Sequence, residues 1–421
     1  MNNSSKKLKN IFKELHISTS TNSIKSQDIK IENSLNSNNP IVVKGLSAII
    51  LQGVKLKASD IHIEPLQKKT RVRYRIDGIL YTKESFDISL HTSFISRLKI
   101  ISHLDITEHK TPQDGKFKFQ IEDKTIDFRV SIVPLITGEK AVIRILNKEI
   151  VNFELEHLGF SPSEYNKILK LIYRQNGIIL SSGPTGSGKT SLIYSILKKL
   201  NNPSVNISTV EDPVEYEIEG INQVQFIKNS LDFSTILKSY LRQDPDILMI
   251  GEIRDYETAE IAVKAALTGH LVLSTIHTND SISGIYRLLN IGIKPYMISA
   301  SVTGIIAQRL LRKLCPKCKI LDPLWEGKLS FLGINPSDLK DDKFYTKKGC
   351  EFCNNSGYIG RIPIFEILIL DDYIKTMIDK KENTQEIKNY CKMQNMRTLL
   401  EIAIEKAKNG ITSLDEIIRQ C

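Results

Sequence analysis

Gly183-Pro184-Thr185-Gly186-Ser187-Gly188-Lys189-Thr190 stands between the apolar run Gly177-Ile-Ile-Leu-Ser181 and a helical pattern over Ser191–Leu200. The spacing is G-x-x-x-x-G-K-[ST], in the strand–loop–helix context that a phosphate-binding loop requires. Its glycines let backbone N–H groups close around phosphate oxygens, and the helix N-terminus adds partial positive charge. Lys189 is then expected to reach the β- and γ-phosphates, and the Thr190 hydroxyl to ligate Mg²⁺. All eight residues are candidate nucleotide-binding positions.

Outward from this loop, Val205–Val210, Asp246–Ile250 and Leu271–Thr275 are further apolar strands with helical sequence between them. Strands alternating with helices predict an α/β domain, a mostly parallel sheet covered on both faces. A P-loop hydrolase also needs a carboxylate at the end of a neighbouring strand, and Ile247-Leu-Met-Ile-Gly-Glu252 supplies one. The generic pattern would place Asp where Gly251 sits. Thr209-Val-Glu-Asp-Pro-Val-Glu215 puts a second acidic cluster, Glu211 and Asp212, after another strand, and His270 and His277 bracket the strand at 271–275. Exposed turn acids and structural histidines are commonplace, so each of these signals alone is weak.

Upstream, Ser59–Glu64, Thr70–Ile76 and Lys116–Ile121 alternate apolar with polar residues, as does Asp127 to Ile145 around a Thr137-Gly138 turn. Asp77-Gly78 signals a tight turn between two of these strands. Residues 41–146 read as a small α+β domain, 147–159 as a linker and 160–421 as the P-loop domain. Residues 1–40 hold eight Ser, eight Asn and no Gly. They read as a flexible polar arm with one weak amphipathic stripe, Leu8, Ile11, Phe12 and Leu15.

Of six cysteines, four fall as Cys315-Pro-Lys-Cys318 and Cys350-Glu-Phe-Cys353. Two C-x-x-C pairs in a chain that opens without a signal-peptide pattern read as a zinc site, with a redox dithiol as the alternative. The two-residue spacing lets four thiolates reach one tetrahedral Zn²⁺ within a cysteine element at about 312–365. The chain has 421 residues, 41% hydrophobic and 25% charged, which disfavours collagenous, wholly disordered and membrane-embedded classes. Its net charge of +10 permits an anionic partner without selecting one.

Taken in order, GPTGSGKT, TVEDPVE, RQDPDILMIGEIRD and TGHLVLSTIHTND resemble the Walker A, Asp, Walker B and His boxes of secretion ATPases. These are the hexameric motors of type II secretion, type IV pilus assembly and competence systems. The likeness extends from ASDIHIEP at 58–65 through PQDGKF and FRVSIVPLITGEKAVIRIL to Gly360-Arg361. It implies a RecA-like ATPase domain, a smaller PAS-like N-terminal domain and an inserted tetracysteine zinc element. It also implies ATP, Mg²⁺ and Zn²⁺ as ligands. Glu252 would polarise the attacking water, with Glu211 or Asp212 assisting at Mg²⁺. His277 would lie near the γ-phosphate, and His270 would shape that wall. Arg129 and Arg144, from the smaller domain, match arginines that fold over the phosphates, and Arg242, Arg254 and Arg361 match others near nucleotide or subunit contacts. Retraction motors of the superfamily lack the tetracysteine element, so its presence favours assembly.

The implied assembly is a homohexamer, cytoplasmic and peripheral at the inner face of the inner membrane. Its partners would be a polytopic platform protein and a membrane adaptor, with pilin-like subunits contacted indirectly. The alternative is a nucleic-acid-dependent motor in which the basic segment Arg309–Lys319, beside the zinc element, grips phosphates. That segment has no aromatic residue on which bases could stack, so direct nucleic-acid contact is not expected.

Overall fold

Val42, Leu46, Ile49 and Ile50 recur at three- and four-residue spacing and fold as helix α1 (Pro40–Lys55), burying that stripe. The computed structural model describes residues 40–121, 124–146, 154–226 and 232–420. The 1–40 arm and the first half of the expected linker therefore lie outside the described residues, but for Pro40. The chain divides after Ile150 into two compact units.

In the first unit, α1 is followed by β1 (Asp60–Pro65), β2 (Lys69–Ile76), β3 (Ile79–Asp87), α2 (His91–Ile101), β4 (Gln113–Ile121), β5 (Lys124–Leu135) and β6 (Gly138–Leu146). The strands form one sheet in the order β3-β2-β1-β6-β5-β4, with antiparallel neighbours. The β2–β3 hairpin turns on Asp77 and Gly78, at φ 47° and 82°, the left-handed pair that a two-residue loop needs. Ile61, Ile63, Val72, Tyr74, Phe128 and Ile143 share one core with Phe94 and Leu98 of α2. Gly53 lets α1 approach β1, since a Cβ there would lie 2.6 Å from Ile61 Cδ1.

The other side chains of β1, Asp60, His62 and Glu64, lie among basic residues. Burial opposes the charge on Glu64, but hydrogen bonds from Arg73, Arg71 and Lys140 pull its carboxyl down to about 2. His62 is 8% exposed, and neither ring nitrogen meets a hydrogen-bond partner. Burial, then the charges of Lys140 and Arg75, lower its pKa, with Asp60 and Glu64 opposing. A depressed histidine stabilises the fold above its unfolded value, about 6.5, and that contribution is lost as pH falls through the folded value. The urea midpoint of this unit is therefore expected to drop between pH 7 and 5. His62→Leu should flatten the drop, and an unchanged slope would dismiss this residue as its source.

The second unit runs α3 (Pro162–Ile172), β7 (Gly177–Ser182), α4 (Lys189–Leu200), β8 (Ile207–Glu211), β9 (Asn222–Gln225), α5 (Phe233–Tyr240), β10 (Ile247–Ile250), α6 (Tyr256–Leu267) and β11 (Leu271–Ile276). Then come α7 (Ser281–Ile291), α8 (Pro295–Ser301) and β12 (Val302–Leu314). The insert holds β13 (Ile320–Leu321), α9 (Trp325–Phe331) and β14 (Tyr345–Thr346), and β15 (Tyr358–Ile369) returns to the sheet. Helices α10 (Asp372–Asp379), α11 (Thr384–Met393), α12 (Leu399–Lys408) and α13 (Leu414–Gln420) follow.

The main sheet is β15-β12-β7-β11-β10-β8-β9, with β15 antiparallel to β12 and the other pairings parallel. Alternate residues of one strand enter opposite layers: Ile178 and Leu180 of β7 pack in one core, Ile179 in the other. The expected parallel α/β sheet is present, with three strands the sequence reading did not foresee, the short β9 and the long β12 and β15. β12 and β15, of 13 and 12 residues, flank the cysteines and belong to the sheet rather than to the insert. Val302–Leu314 is buried along nearly all its length, so its sequence lacks the alternation that marks a half-exposed strand.

The basic grip of the alternative reading loses its first two arginines to the interior. Arg309 and Arg312 are 5% and 7% exposed and turned inward, Arg312 onto Glu416 at 2.7 Å. Among the described residues no helix is long and apolar enough to cross a membrane.

Candidate active site

β7 is flanked by β12 on one side and β11 on the other, so the chain leaves it at a switch point of the sheet, where ligands bind beyond the strand ends. The loop there is shaped by Gly183, Gly186 and Gly188, at φ 151°, 79° and 94°. A Cβ on Gly183 would lie 2.7 Å from the Gln308 carbonyl oxygen, and one on Gly188 would lie 2.6 Å from Gln308 Nε2. Only glycine fits the loop between β12 and the phosphate side. Lys189 is 8% exposed and donates from Nζ to the carbonyls of Gly183, at 2.7 Å, and Pro184, at 3.0 Å. Burial pushes its ammonium down to about 8, with the Glu252 charge opposing and the Arg309 charge adding to the fall. Thr190 follows it in the first turn of α4.

Parallel register brings the next groups to the same edge. Ile276 pairs with Ser182, and Ile250 pairs with both Ser274 and Val210, so Glu252, His277 and the Glu211–Asp212 pair follow adjacent strand ends. His277 Nε2 lies 3.4 Å from Glu252 Oε1, and Arg254 Nε donates to Glu252 Oε2 at 2.7 Å. Arg254 Nη1 is 4.0 Å from Asp212 Oδ2. Burial, then the Lys189 charge, lowers the His277 pKa, with Glu252 opposing, so the imidazole is neutral at pH 7. Gly251 stands in a tight space where the generic pattern has Asp. A Cβ there would come within 3.2 Å of Val210 O and 3.4 Å of Glu211 Cα on β8.

Two expected residues sit elsewhere in their roles. Glu211 is 3% exposed; its oxygens accept from Thr209 Oγ1 at 2.6 Å, from Gln223 Nε2 at 3.2 Å and from the Tyr194 hydroxyl. It braces β8, β9 and α4, while Asp212 next to it is half-exposed. His270 precedes β11 and lies at the opposite end of that strand from His277, roughly 20 Å away at ~3.3 Å per residue. Its Nδ1 sits 2.8 Å from the Ala265 carbonyl at the end of α6, so it does not shape the wall at His277. Arg129 and Arg144 are cross-strand partners in the first unit, and Arg144 Nε bonds Asp60 Oδ1 at 3.0 Å. The sequence reading missed Gln308 and took Arg309 only as part of a basic segment; both back the loop. Their signal was two long polar side chains in an otherwise apolar run.

In the insert, the sulfur atoms of Cys315, Cys318, Cys350 and Cys353 all lie within 4.8 Å of one another. Cys315–Cys350 and Cys318–Cys353 are 3.8 Å apart, and Cys350–Cys353 is 3.7 Å. The edge of a tetrahedron with Zn–S of ~2.3 Å is ~3.8 Å, so the four thiols fit a zinc ion. The Gly357 and Cys350 amides point at Cys353 Sγ at 3.2 and 3.3 Å. Burial disfavours that thiolate, but these amides outweigh it and bring the thiol down to about 6.

A sheet ordered β12-β7-β11-β10-β8, with a P-loop after β7 and a carboxylate after β10, the next strand but one, defines a RecA-like P-loop ATPase. The model of the Type II/IV secretion system protein family matches residues 35–419, and the chain belongs to that family. It is 45% identical over 380 residues to the type IV pilus assembly ATPase PilB of Myxococcus xanthus, covering 90% of this chain and 67% of the relative. To the type II secretion system protein HxcR of Pseudomonas aeruginosa it is 41% identical over 379 residues, 90% of this chain and 77% of the relative. Among solved structures, the pilus retraction motor PilT with bound ADP superposes with a TM-score of 0.59 at 26% identity, covering 89% of this chain and 96% of that one.

Proposed function

We propose that the chain is the ATP-hydrolysing motor of a filament-building machine, of the type II secretion, type IV pilus or competence kind. It would act as a homohexamer at the cytoplasmic face of the inner membrane. Through a polytopic platform protein it would load pilin-like subunits. The observation that carries this reading is the joint presence of the P-loop, the Glu252–His277 pair and the tetracysteine insert in a chain 45% identical to a pilus assembly ATPase.

In this reading Lys189 leaves the Gly183 and Pro184 carbonyls for the phosphates, and Thr190 with Asp212 holds Mg²⁺. The metal would neutralise charge on the β- and γ-phosphates. Glu252 orients and deprotonates water, and neutral His277 donates toward the γ-phosphate. Glu211 keeps Asp212 in place by fixing the end of β8. Arg129 and Arg144 supply further positive charge when the first unit closes. The two domains are taken as 41–146 and 160–421.

In-cell crosslinking of a Glu252→Gln trap, read by mass spectrometry, tests the reading. Recovery of a polytopic inner-membrane protein with pilin-like subunits supports it. Recovery of nucleic-acid-handling proteins alone would replace it with the DNA motor.

A further inference from the structure

The loop after β11 carries His277 and is pinned from three sides. Ser182, the last residue of β7, bonds Thr278 Oγ1 at 2.5 Å. Glu366 of β15 accepts from the Ser281 amide at 2.8 Å where α7 begins. The third tie is Arg309 of β12, whose Nη2 donates to the Asn279 carbonyl at 2.7 Å. The same guanidinium donates from Nη1 to the Gln308 carbonyl at 3.1 Å, the oxygen that lies against Gly183. From Nε it donates to the Gln420 carbonyl at 3.3 Å, in the last turn of α13. One buried, planar cation thus spans the P-loop backing, the His277 loop and a helix C-terminus, whose partial negative charge favours a cation there.

Helix α13 is itself a bridge. Glu416 accepts from Arg312 of β12 at 2.9 and 2.7 Å. One residue earlier, Asp415 meets Lys328 of α9 at 2.9 Å and Thr346 of β14 at 3.0 Å, both in the tetracysteine insert. A continuous polar path therefore runs from the insert through α13 and Arg309 to the loop beside the P-loop.

We propose that Arg309 is a positioning residue of the ATPase site, holding the His277 loop through Asn279 and tying its geometry to the docking of α13 and the tetracysteine insert. The inference rests on the ATPase reading of the P-loop edge. A lysine cannot replace the tie, because one ammonium lacks the fixed fork that sets three carbonyls at once. Loosening the loop shifts His277 against Glu252, while the phosphate cradle keeps its glycine turns and the Lys189 contacts to Gly183 and Pro184, so turnover suffers more than nucleotide binding.

The test uses the full chain with ATP and Mg²⁺, measuring kcat and KM together with the Kd of a fluorescent ADP analogue. Arg309→Ala is expected to lower kcat by at least about 10-fold, within the ~10²-fold that a misplacement of ~1 Å can cause, and to leave the ADP Kd within about threefold. Arg309→Lys should fall between. Asp415→Ala, at a half-exposed site, should lower kcat about threefold alone and add nothing to Arg309→Ala, as coupled positions do. A kcat within twofold of native in Arg309→Ala, or equal losses of kcat and binding, would overturn the proposal. If Arg309→Ala does not fold, Asp415→Ala decides alone, and native kcat there overturns the link. Lys189→Ala separates the two readings: should it hydrolyse ATP normally, the site assignment fails, whereas a dead Lys189→Ala beside a native Arg309→Ala removes only this proposal.

Discussion

Glu252→Gln will lower steady-state ATP hydrolysis by roughly 10²- to 10⁴-fold, the range associated with loss of a general base, and keep ATP bound. The amide preserves size and can still accept from Arg254, so the local packing at the end of β10 survives. What it loses is basicity toward water and the charge facing Lys189 and His277. Lys189→Ala should lose turnover and nucleotide affinity together, because the ammonium acts on bound phosphates in both ground and transition state. The two variants therefore separate on a binding assay. Native-rate hydrolysis by Glu252→Gln would move the base elsewhere. The lowered Lys189 pKa adds a pH signature. An anion stabilises the ammonium, so nucleotide affinity should be full below about 8 and weaken as pH rises through that value in the free protein. Affinity unchanged to pH 9.5 would mean that phosphate binding does not depend on this charge.

The phosphate edge was legible in sequence because its chemistry is local. Glycines at 183, 186 and 188 are needed by three left-handed or crowded backbone positions, and a strand before and a helix after complete the pattern. The fold class followed from apolar runs at 177, 205, 246 and 271, which became β7, β8, β10 and β11. What sequence could not give was direction along a strand. His270 and His277 both bracket β11, but a strand of six residues puts them at opposite edges of the sheet, and only His277 reaches Glu252. Nor could it separate Glu211 from Asp212: adjacent acids at a strand end face different ways, and the first is taken up inside by Thr209, Tyr194 and Gln223. The inward arginines were misleading for the same reason. Arg309 and Arg312 look like a basic surface in composition, and only the return of α13 from a hundred residues later gives them Gln420 and Glu416 as partners.

Zinc removal should have a large but local effect. Purified protein is expected to carry about one zinc ion per chain, and Cys353→Ser to lose most of it, since a structural site needs all four ligands. In isolated zinc modules the metal supplies roughly 10–16 kcal/mol at neutral pH, enough to decide whether they fold at all. The cluster at Cys315, Cys318 and Cys353 packs mainly against Cys350 and Ile359, so little apolar burial replaces the metal when it leaves. The rest of the insert has other support, because Leu329 and Phe344 share a core with Leu399, Ile402 and Leu414 of α12 and α13. Its roots, β12 and β15, stay paired from Gly304–Ile369 to Arg312–Arg361. Amide exchange should therefore accelerate around residues 315–320 and 347–358 in Cys353→Ser, with the sheet still protected and ADP bound within about threefold of native, because a segment held mainly by its own metal opens as a separate unit. Global unfolding of the second unit would show that the insert holds the sheet together. Full zinc content with three cysteines would show that the metal is held by other ligands.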